Sequence, residues 1–111
     1  ADEKFMEKLV SIIEKHIADP GLQVETLCGD LGMSHSSLYR RVKGLTGETI
    51  SEFIKTIRVK RAAQLLKTQN FTVAEVMDEV GFSNHSYFSK CFRKIYNQSP
   101  GSYLKEAKEN S

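Results

Sequence analysis

The stretch VETLCGDLGMS at residues 24–34 recurs as VAEVMDEVGFS at residues 73–83, an offset of 49 residues. Valine, glycine and serine are identical at the first, ninth and eleventh positions of the two copies. Four further positions are apolar in both copies, and one is acidic in both. Chance similarity between two amphipathic helices would match only the apolar positions. The shared glycine and serine therefore indicate an internal repeat.

The similarity continues after residue 34 at an offset of 50 residues, so the second copy contains one additional residue, Asn84. The matched pairs are His35 and His85, Ser36 and Ser86, Leu38 and Phe88, Arg40 and Lys90, Val42 and Phe92, Lys43 and Arg93, and Leu45 and Ile95. Polar, apolar and basic positions all recur in the same order. We therefore expect the two copies to fold alike.

Each copy has the pattern of a short helix, a turn that contains glycine, and a second helix. Gly32 and Gly81 stand where the first helix stops and the chain reverses, a position that favours the left-handed conformation. The second helices are predicted at about residues 35–44 and 85–96. Their apolar residues are expected to face inward: Leu38, Val42 and Leu45 in the first copy, and Phe88, Phe92 and Ile95 in the second.

The opposite side of each second helix is polar and basic, and we call these sides the two recognition faces. The first recognition face comprises His35, Ser36, Tyr39, Arg40 and Lys43, and the second comprises His85, Ser86, Ser89, Lys90 and Arg93. Arginine and lysine donate hydrogen bonds to the guanine edge, and serine and histidine at a helix N-terminus reach bases or phosphates. A solvated surface would explain one basic helix, but two matched copies favour nucleic-acid binding. We expect the first face, with Tyr39 and Arg40, to make the stronger specific contacts.

The charge distribution supports two separate anion-facing elements. The chain has a net charge of only +2, but residues 34–67 carry +6 and residues 83–97 carry +3. Residues 1–33 carry −4 and residues 68–82 carry −3. Two basic blocks that are separated by an acidic block indicate two anion-binding elements in a chain that is nearly neutral as a whole.

The rest of the chain is also helical in pattern, which predicts an all-α protein. A first helix is expected to extend to residue 17, before the Asp-Pro-Gly turn at residues 19–21. The capping boxes TISE at residues 49–52 and TVAE at residues 72–75 begin two further helices, which extend to about Lys67 and to Gly81. Serine followed by proline at residues 99–100 begins a last short helix through Leu104.

The long helix that begins at residue 50 divides the repeat. We expect a first helix-turn-helix subdomain over residues 1–47, a linker helix over residues 48–68 and a second subdomain over residues 69–111. The linker helix has roughly 18 residues and therefore a length of about 27 Å. This length is near the spacing of about 34 Å between successive major grooves. The basic residues of this helix include Lys55, Arg58, Lys60 and Arg61. We expect some to contact phosphate or pair with acids, and Arg58, beside the apolar side, to brace helix against helix.

The chain resembles the C-terminal DNA-binding domain of AraC/XylS-type transcription regulators. The segments that carry this resemblance are LGMSHSSLYRRVK at 31–43, IRVKRAAQLL at 57–66, VAEVMDEVGF at 73–82, YFSKCFRK at 87–94 and SPGSYL at 99–104. It implies seven helices, with both recognition helices in successive major grooves of double-stranded DNA. The base-facing residues that it implies are His35, Ser36, Tyr39, Arg40, His85, Ser86 and Lys90. Met77 departs from the small residue typical of the family, and the Cys28-Gly29 pair lies where alanine-based pairs are common.

The parent protein is expected to be longer, because the chain does not begin with methionine. At the subfamily level the sequence is similar to the output domains of hybrid two-component regulators, and an upstream cupin-like ligand-binding domain is the alternative. Dimerisation would then depend on the missing regions. RNA polymerase is a further partner that an activator would contact.

Other classes of function are disfavoured. No apolar run is long enough to span a bilayer, and no signal peptide is visible. Cys28 and Cys91 are far apart and form no CxxC pattern, so we expect reduced thiols near the core of a cytoplasmic protein. The three histidines lack metal-ligand spacing, and His16 is expected to be solvated. We expect no cofactor, no metal and no catalysis, and the polar recognition faces argue against a protein-interaction adaptor.

Overall fold

The computed structural model describes all residues from 1 to 111 and consists of seven α-helices without strands. They are α1 (Asp2–Lys15), α2 (Val24–Leu31), α3 (His35–Thr46), α4 (Ile50–Thr68), α5 (Val73–Glu79), α6 (His85–Tyr96) and α7 (Pro100–Glu109). The predicted all-α class, number of helices and order of helices are confirmed. None of the seven helices combines the length and apolar character that crossing a membrane requires.

Most helices begin at a polar side chain that accepts a hydrogen bond from a backbone N–H three residues further on. The N-caps with this bond are Ser34, Thr49, Thr72, Asn84 and Ser99. Both predicted capping boxes are formed, since Glu52 and Glu75 also accept from the cap backbone. These bonds satisfy N–H groups that have no partner inside the helix, so the beginnings of the helices follow from local sequence.

The ends of four helices differ from the prediction. α1 ends at Lys15 rather than at residue 17, and α5 ends at Glu79, two residues before Gly81. α3 continues through Gly44 to Thr46, because the left-handed cap is Gly47, with φ of 77°. α7 extends to Glu109, since the KEAKE segment after residue 104 consists of good helix formers.

The buried side chains form two hydrophobic clusters that share α4. The first contains Phe5, Leu9, Ile13, Leu27, Leu38, Val42, Ile50 and Ile54. The second contains Val59, Ala62, Ala63, Leu66, Val76, Val80, Phe82, Phe88 and Phe92. The N-terminal half of α4 therefore shares a core with α1, α2 and α3, and its C-terminal half shares one with α5, α6 and α7.

Leu45 and Ile95 are not core residues, which corrects the prediction from periodicity. They are 41% and 37% exposed, whereas Val42 and Phe92, one turn earlier, are fully buried. Neither belongs to either hydrophobic cluster. Periodicity identifies the side of a helix that faces the core, but it does not show how far along the helix the core extends.

The internal repeat extends further in the structure than the matched residues of the two sequence copies indicate. Gly47 and Asn97, 50 residues apart, both adopt the left-handed conformation and end α3 and α6. Thr49 and Ser99, also 50 residues apart, cap the next helices. The first turn of α4 is thus the counterpart of the first turn of α7, and α4 completes the first unit while it begins the second. The whole domain is elongated and measures 45 × 23 × 21 Å.

Candidate nucleic-acid interface

The first recognition face lies on the solvent side of α3. All five of its predicted residues are exposed, and Leu38 and Val42 anchor the opposite side of the helix in the core. Arg40 has no hydrogen-bond or ion-pair partner within the chain, so its guanidinium is free to meet a ligand. Lys43 differs, since its Nζ donates to the Gly47 carbonyl oxygen at 3.0 Å and thus caps the end of its own helix.

The second recognition face lies on α6 and is similar, with one exception. His85, Ser86, Lys90 and Arg93 are exposed, but Ser89 is half-buried. The accessible part of this face is therefore smaller than predicted. Its counterpart in the first copy, Tyr39, is 43% exposed, so the two faces differ most at this position.

The turns before the two recognition helices share one backbone geometry. The N–H of Met33 donates to the Cys28 carbonyl at 3.1 Å, and the N–H of Phe82 donates to the Met77 carbonyl at 3.0 Å. Both bonds lie at the repeat offset of 49 residues, so the departures from the family at residues 28 and 77 leave this turn intact. The inserted Asn84 is the N-cap of α6, because its Oδ1 accepts from the Tyr87 N–H at 2.8 Å.

The N-termini of both recognition helices are free of negative charge. The first turns of α3, α6 and α7 contain no acidic residue, whereas those of α1, α2, α4 and α5 each contain at least one. A helix N-terminus carries a partial positive charge, which an acidic side chain would neutralise. The ends of α3 and α6 therefore remain available to a phosphate group.

A groove between α4 and α6 adds Glu52, Tyr87 and Lys94 to the residues that the sequence predicted. It has a volume of about 420 Å³ and is lined in part by Glu52, Lys55, Tyr87, Lys90 and Lys94. The Lys55 Nζ lies 5.6 Å from the centre of the Tyr87 ring, and its contact with the Tyr87 hydroxyl raises the pKa of Lys55. Residues 87, 90 and 94 recur at helical spacing, so the side of α6 toward α4 was detectable from sequence.

Arg58 is buried, so its expected structural role is confirmed, but it joins α4 to the segments before α2 and before α6 rather than bracing helix against helix. Its Nη1 donates to the Gly81 carbonyl at 3.1 Å, and its Nη2 donates to the Asp19 carbonyl at 2.7 Å. Its Nε has no partner. Burial lowers the pKa of Arg58, and the nearby Asp19 carboxylate opposes that shift. The partners of Arg58 are thus backbone carbonyls.

Other charged and thiol groups have structural surroundings. Arg41 pairs with Asp2 at 3.2 Å and lies 4.0 Å from the centre of the Phe5 ring, so it ties α3 to α1. His16 is not simply solvated, because it is half-buried and its Nε2 lies 3.7 Å from an Asp30 carboxylate oxygen. Both cysteines are free and half-buried. No group of three or more His, Cys, Asp or Glu side chains is arranged to hold a metal ion.

Comparison with known proteins identifies the family. A family model described as a helix-turn-helix domain matches residues 27–106, which include both recognition helices. The chain belongs to the AraC-type helix-turn-helix family. At the family level, the expected function of DNA-binding transcription regulation is confirmed.

The relatives of this AraC-type domain include both long and short proteins. The histidine kinase P4 of Formosa agariphila is 39% identical over 102 residues, which are 92% of this chain and 7% of that protein. The HTH-type transcriptional regulator MtrA of Neisseria gonorrhoeae is 35% identical over 101 residues, which are 89% of this chain and 34% of that protein. The chain thus spans between 7% and 34% of the length of these relatives.

One solved structure similar to this AraC-type domain contains DNA. The DNA-binding domain of AdpA, in complex with a target DNA, superimposes with a TM-score of 0.82 at 29% sequence identity. The match covers 94% of this chain and 93% of that chain.

Proposed function

We propose that this domain binds one double-stranded DNA site by placing α3 and α6 in successive major grooves. The observation that carries the proposal is the pair of equivalent exposed basic faces, each on a helix that two fully buried side chains anchor from the opposite side. A helix anchored in this way presents its polar face as a rigid unit, which direct recognition of base edges requires. The likeness to a domain in complex with a target DNA supports the same function.

The proposed roles follow from the chemistry of each position. Arg40 and Lys90, at matching positions and without partners in the chain, are assigned to guanine edges. Arg93 and Lys43 are assigned to phosphate, where a cation needs no exact orientation. The histidine and serine at the start of each helix approach the bases or the flanking phosphates, namely His35, Ser36, His85 and Ser86. Tyr39 adds contact area in the first groove, and the half-buried Ser89 adds little in the second.

The dimensions of the domain support a site with two half-sites. We divide it into subdomains at residues 1–47 and 69–111, joined by a linker helix at residues 48–68. The 19 residues of α4 give a length of about 28 Å at about 1.5 Å per residue, and the whole domain is 45 Å long. Successive major grooves are about 34 Å apart. A single domain therefore has the length to reach both.

The parent protein is proposed to be a hybrid two-component regulator, in which this domain is the output end. The similarity to a histidine kinase of which it spans 7% supports this architecture. Any catalytic activity would then belong to other parts of the parent protein. Those parts would also mediate dimerisation, and the DNA-bound protein would contact RNA polymerase. In such a regulator this DNA-binding domain would work in the cytoplasm. Sequencing the region upstream of Ala1 tests the proposal, since a cupin-like domain there would replace it with the ligand-binding alternative.

The DNA-binding proposal is tested by selection from a random duplex library, followed by titration at two salt concentrations. We expect a selected site with two half-sites about one helical turn apart and an affinity that falls steeply as salt rises. The Arg40→Ala, Lys90→Ala double variant should lose most of its preference for the selected site. Lys108→Ala, an exposed substitution on α7, is the matched control for loss of charge. Binding that does not depend on salt, or no enrichment of any site, would contradict the proposal.

A further inference from the structure

The two helix-turn-helix units have almost no polar connection to each other. No hydrogen bond or ion pair joins residues 1–47 directly to residues 69–111. Arg58 of α4 is the one side chain that bonds to both parts, through the Asp19 carbonyl and the Gly81 carbonyl. A single guanidinium therefore bridges the two units at the middle of the shared helix.

The bridge is reinforced by direct backbone packing. A Cβ atom added to Gly81 would overlap the Ile17 carbonyl oxygen, so the chain after α1 lies directly against the turn of the second unit. The Ile17 side chain packs against the second hydrophobic cluster. We call the contact formed by Ile17, Asp19, Arg58 and Gly81 the junction.

The junction acts on the two elements that orient the recognition helices. Gly81 lies in the turn between α5 and α6, three residues before the N-cap of α6. Asp19 lies between α1 and α2, in the segment that leads into the first unit. Displacement of either carbonyl would therefore rotate or shift one recognition face relative to the other.

Stability alone is a poor explanation for a buried arginine at this point. Arg58 has no carboxylate in hydrogen-bond contact, and its Nε is buried without a partner. Desolvation of a buried charge offsets much of the free energy that its hydrogen bonds contribute, so burial of a charged group is weak evidence for a stabilising role. The planar guanidinium instead offers two donors at fixed relative directions, a geometry that neither lysine nor methionine reproduces.

We propose that Arg58 is a positioning residue that sets the distance and angle between the two recognition faces, and thereby the half-site spacing that the domain prefers. This inference rests on the proposed binding of two half-sites. One inserted base pair moves a half-site by about 3.4 Å and rotates it by about 35° around the duplex axis. A rigid domain binds the changed spacing with lower affinity. A domain with a loosened junction can adjust the positions of its recognition faces and keeps most of its affinity.

The test compares the wild type with Arg58→Met and Arg58→Lys on a series of duplexes. The half-sites are constant and their spacing differs by −2 to +2 base pairs, and two further duplexes contain only one half-site. We expect the wild type to lose about tenfold or more in affinity at a changed spacing, as for loss of base contacts in one groove. Arg58→Met should show at most a few-fold dependence on spacing, with Arg58→Lys in between, and both should match the wild type on single half-sites.

Residual dipolar couplings of the α3 and α6 amides in the free domain provide a second readout. We expect the angle between the two helices to be averaged in Arg58→Met and fixed in the wild type, with unchanged helix content. A wild-type spacing profile in Arg58→Met, or an equal loss on all duplexes including single half-sites, would overturn the inference. If Arg58→Met does not fold, Arg58→Lys decides by the same criteria. Absence of DNA binding by the wild type would refute the proposed function instead, and the couplings would still test the junction.

Discussion

Gly81 lies directly against the backbone of Ile17, so closely that a Cβ atom at position 81 would overlap the Ile17 carbonyl oxygen. The φ angle of Gly81 is 83°, in the left-handed region that disfavours any other residue. Its carbonyl also accepts a hydrogen bond from Arg58. Two independent constraints, conformation and space, therefore require glycine at this one position.

Gly81→Ala should destabilise the domain more than Gly32→Ala does. Gly32 has a φ of 65° but open space around it, so alanine there costs only the left-handed penalty of about 1–2 kcal/mol. Gly81→Ala adds the overlap with Ile17 and strains the junction. Urea unfolding followed by circular dichroism measures the free energy of unfolding of both variants. Equal losses of stability would show that the overlap with Ile17 relaxes without cost.

Gly29→Ala should stabilise the domain by about 1 kcal/mol, because Gly29 lies within α2 and has free space around it.

Leu45→Ala should have a small effect on stability, although Leu45 continues the apolar pattern of α3. Leu38 is fully buried, and its truncation should cost about 2–5 kcal/mol because it leaves a cavity. Leu45 is 41% exposed and should cost less than about 1 kcal/mol. Thermal unfolding of the two variants under identical conditions gives the comparison. A large loss for Leu45→Ala would place this residue in the core after all.

Arg40→Ala should weaken DNA binding and relax the preference at one base pair. The expected cost is about 1–3 kcal/mol if a two-donor contact with guanine is lost. Titration of duplexes with each of the four base pairs at every position identifies the relaxed one, and Lys90→Ala should relax a position in the other half-site. The two variants should not relax the same base pair. Overlap of the two patterns would contradict separate grooves.

Arg93→Ala should weaken binding to all sequences by a similar factor. Arg93 is exposed and has no partner within the chain, so its loss removes a phosphate contact and little else. The slope of log affinity against log salt should decrease in magnitude by about 0.9. Lys43→Ala should show a similar change together with a small loss of stability, because Lys43 also caps the end of α3. An unchanged salt slope for Arg93→Ala would remove this residue from the interface.

Much of the fold and of the candidate site was predictable because the relevant signals are local. Helix beginnings follow from cap residues such as Thr49 and Ser34, which bond to N–H groups three residues away. The recognition faces follow from the repeat and from helical periodicity. Helix ends were less predictable, since Gly44 continues α3 and only Gly47 adopts the left-handed conformation that ends it. The right-handed helical and the left-handed conformations are similar in energy for glycine, so packing decides between them.

The sequence by itself determined the seven helices, their order and the two matched basic faces, since these depend on residues within a few positions of each other. Only the tertiary structure decided that Leu45 and Ile95 lie beyond the core, that Ser89 is half-buried and that Arg58 joins the Asp19 and Gly81 carbonyls. Residues 19 and 81 approach each other because both units pack on α4. Such a contact depends on the angles between helices, which no local pattern encodes.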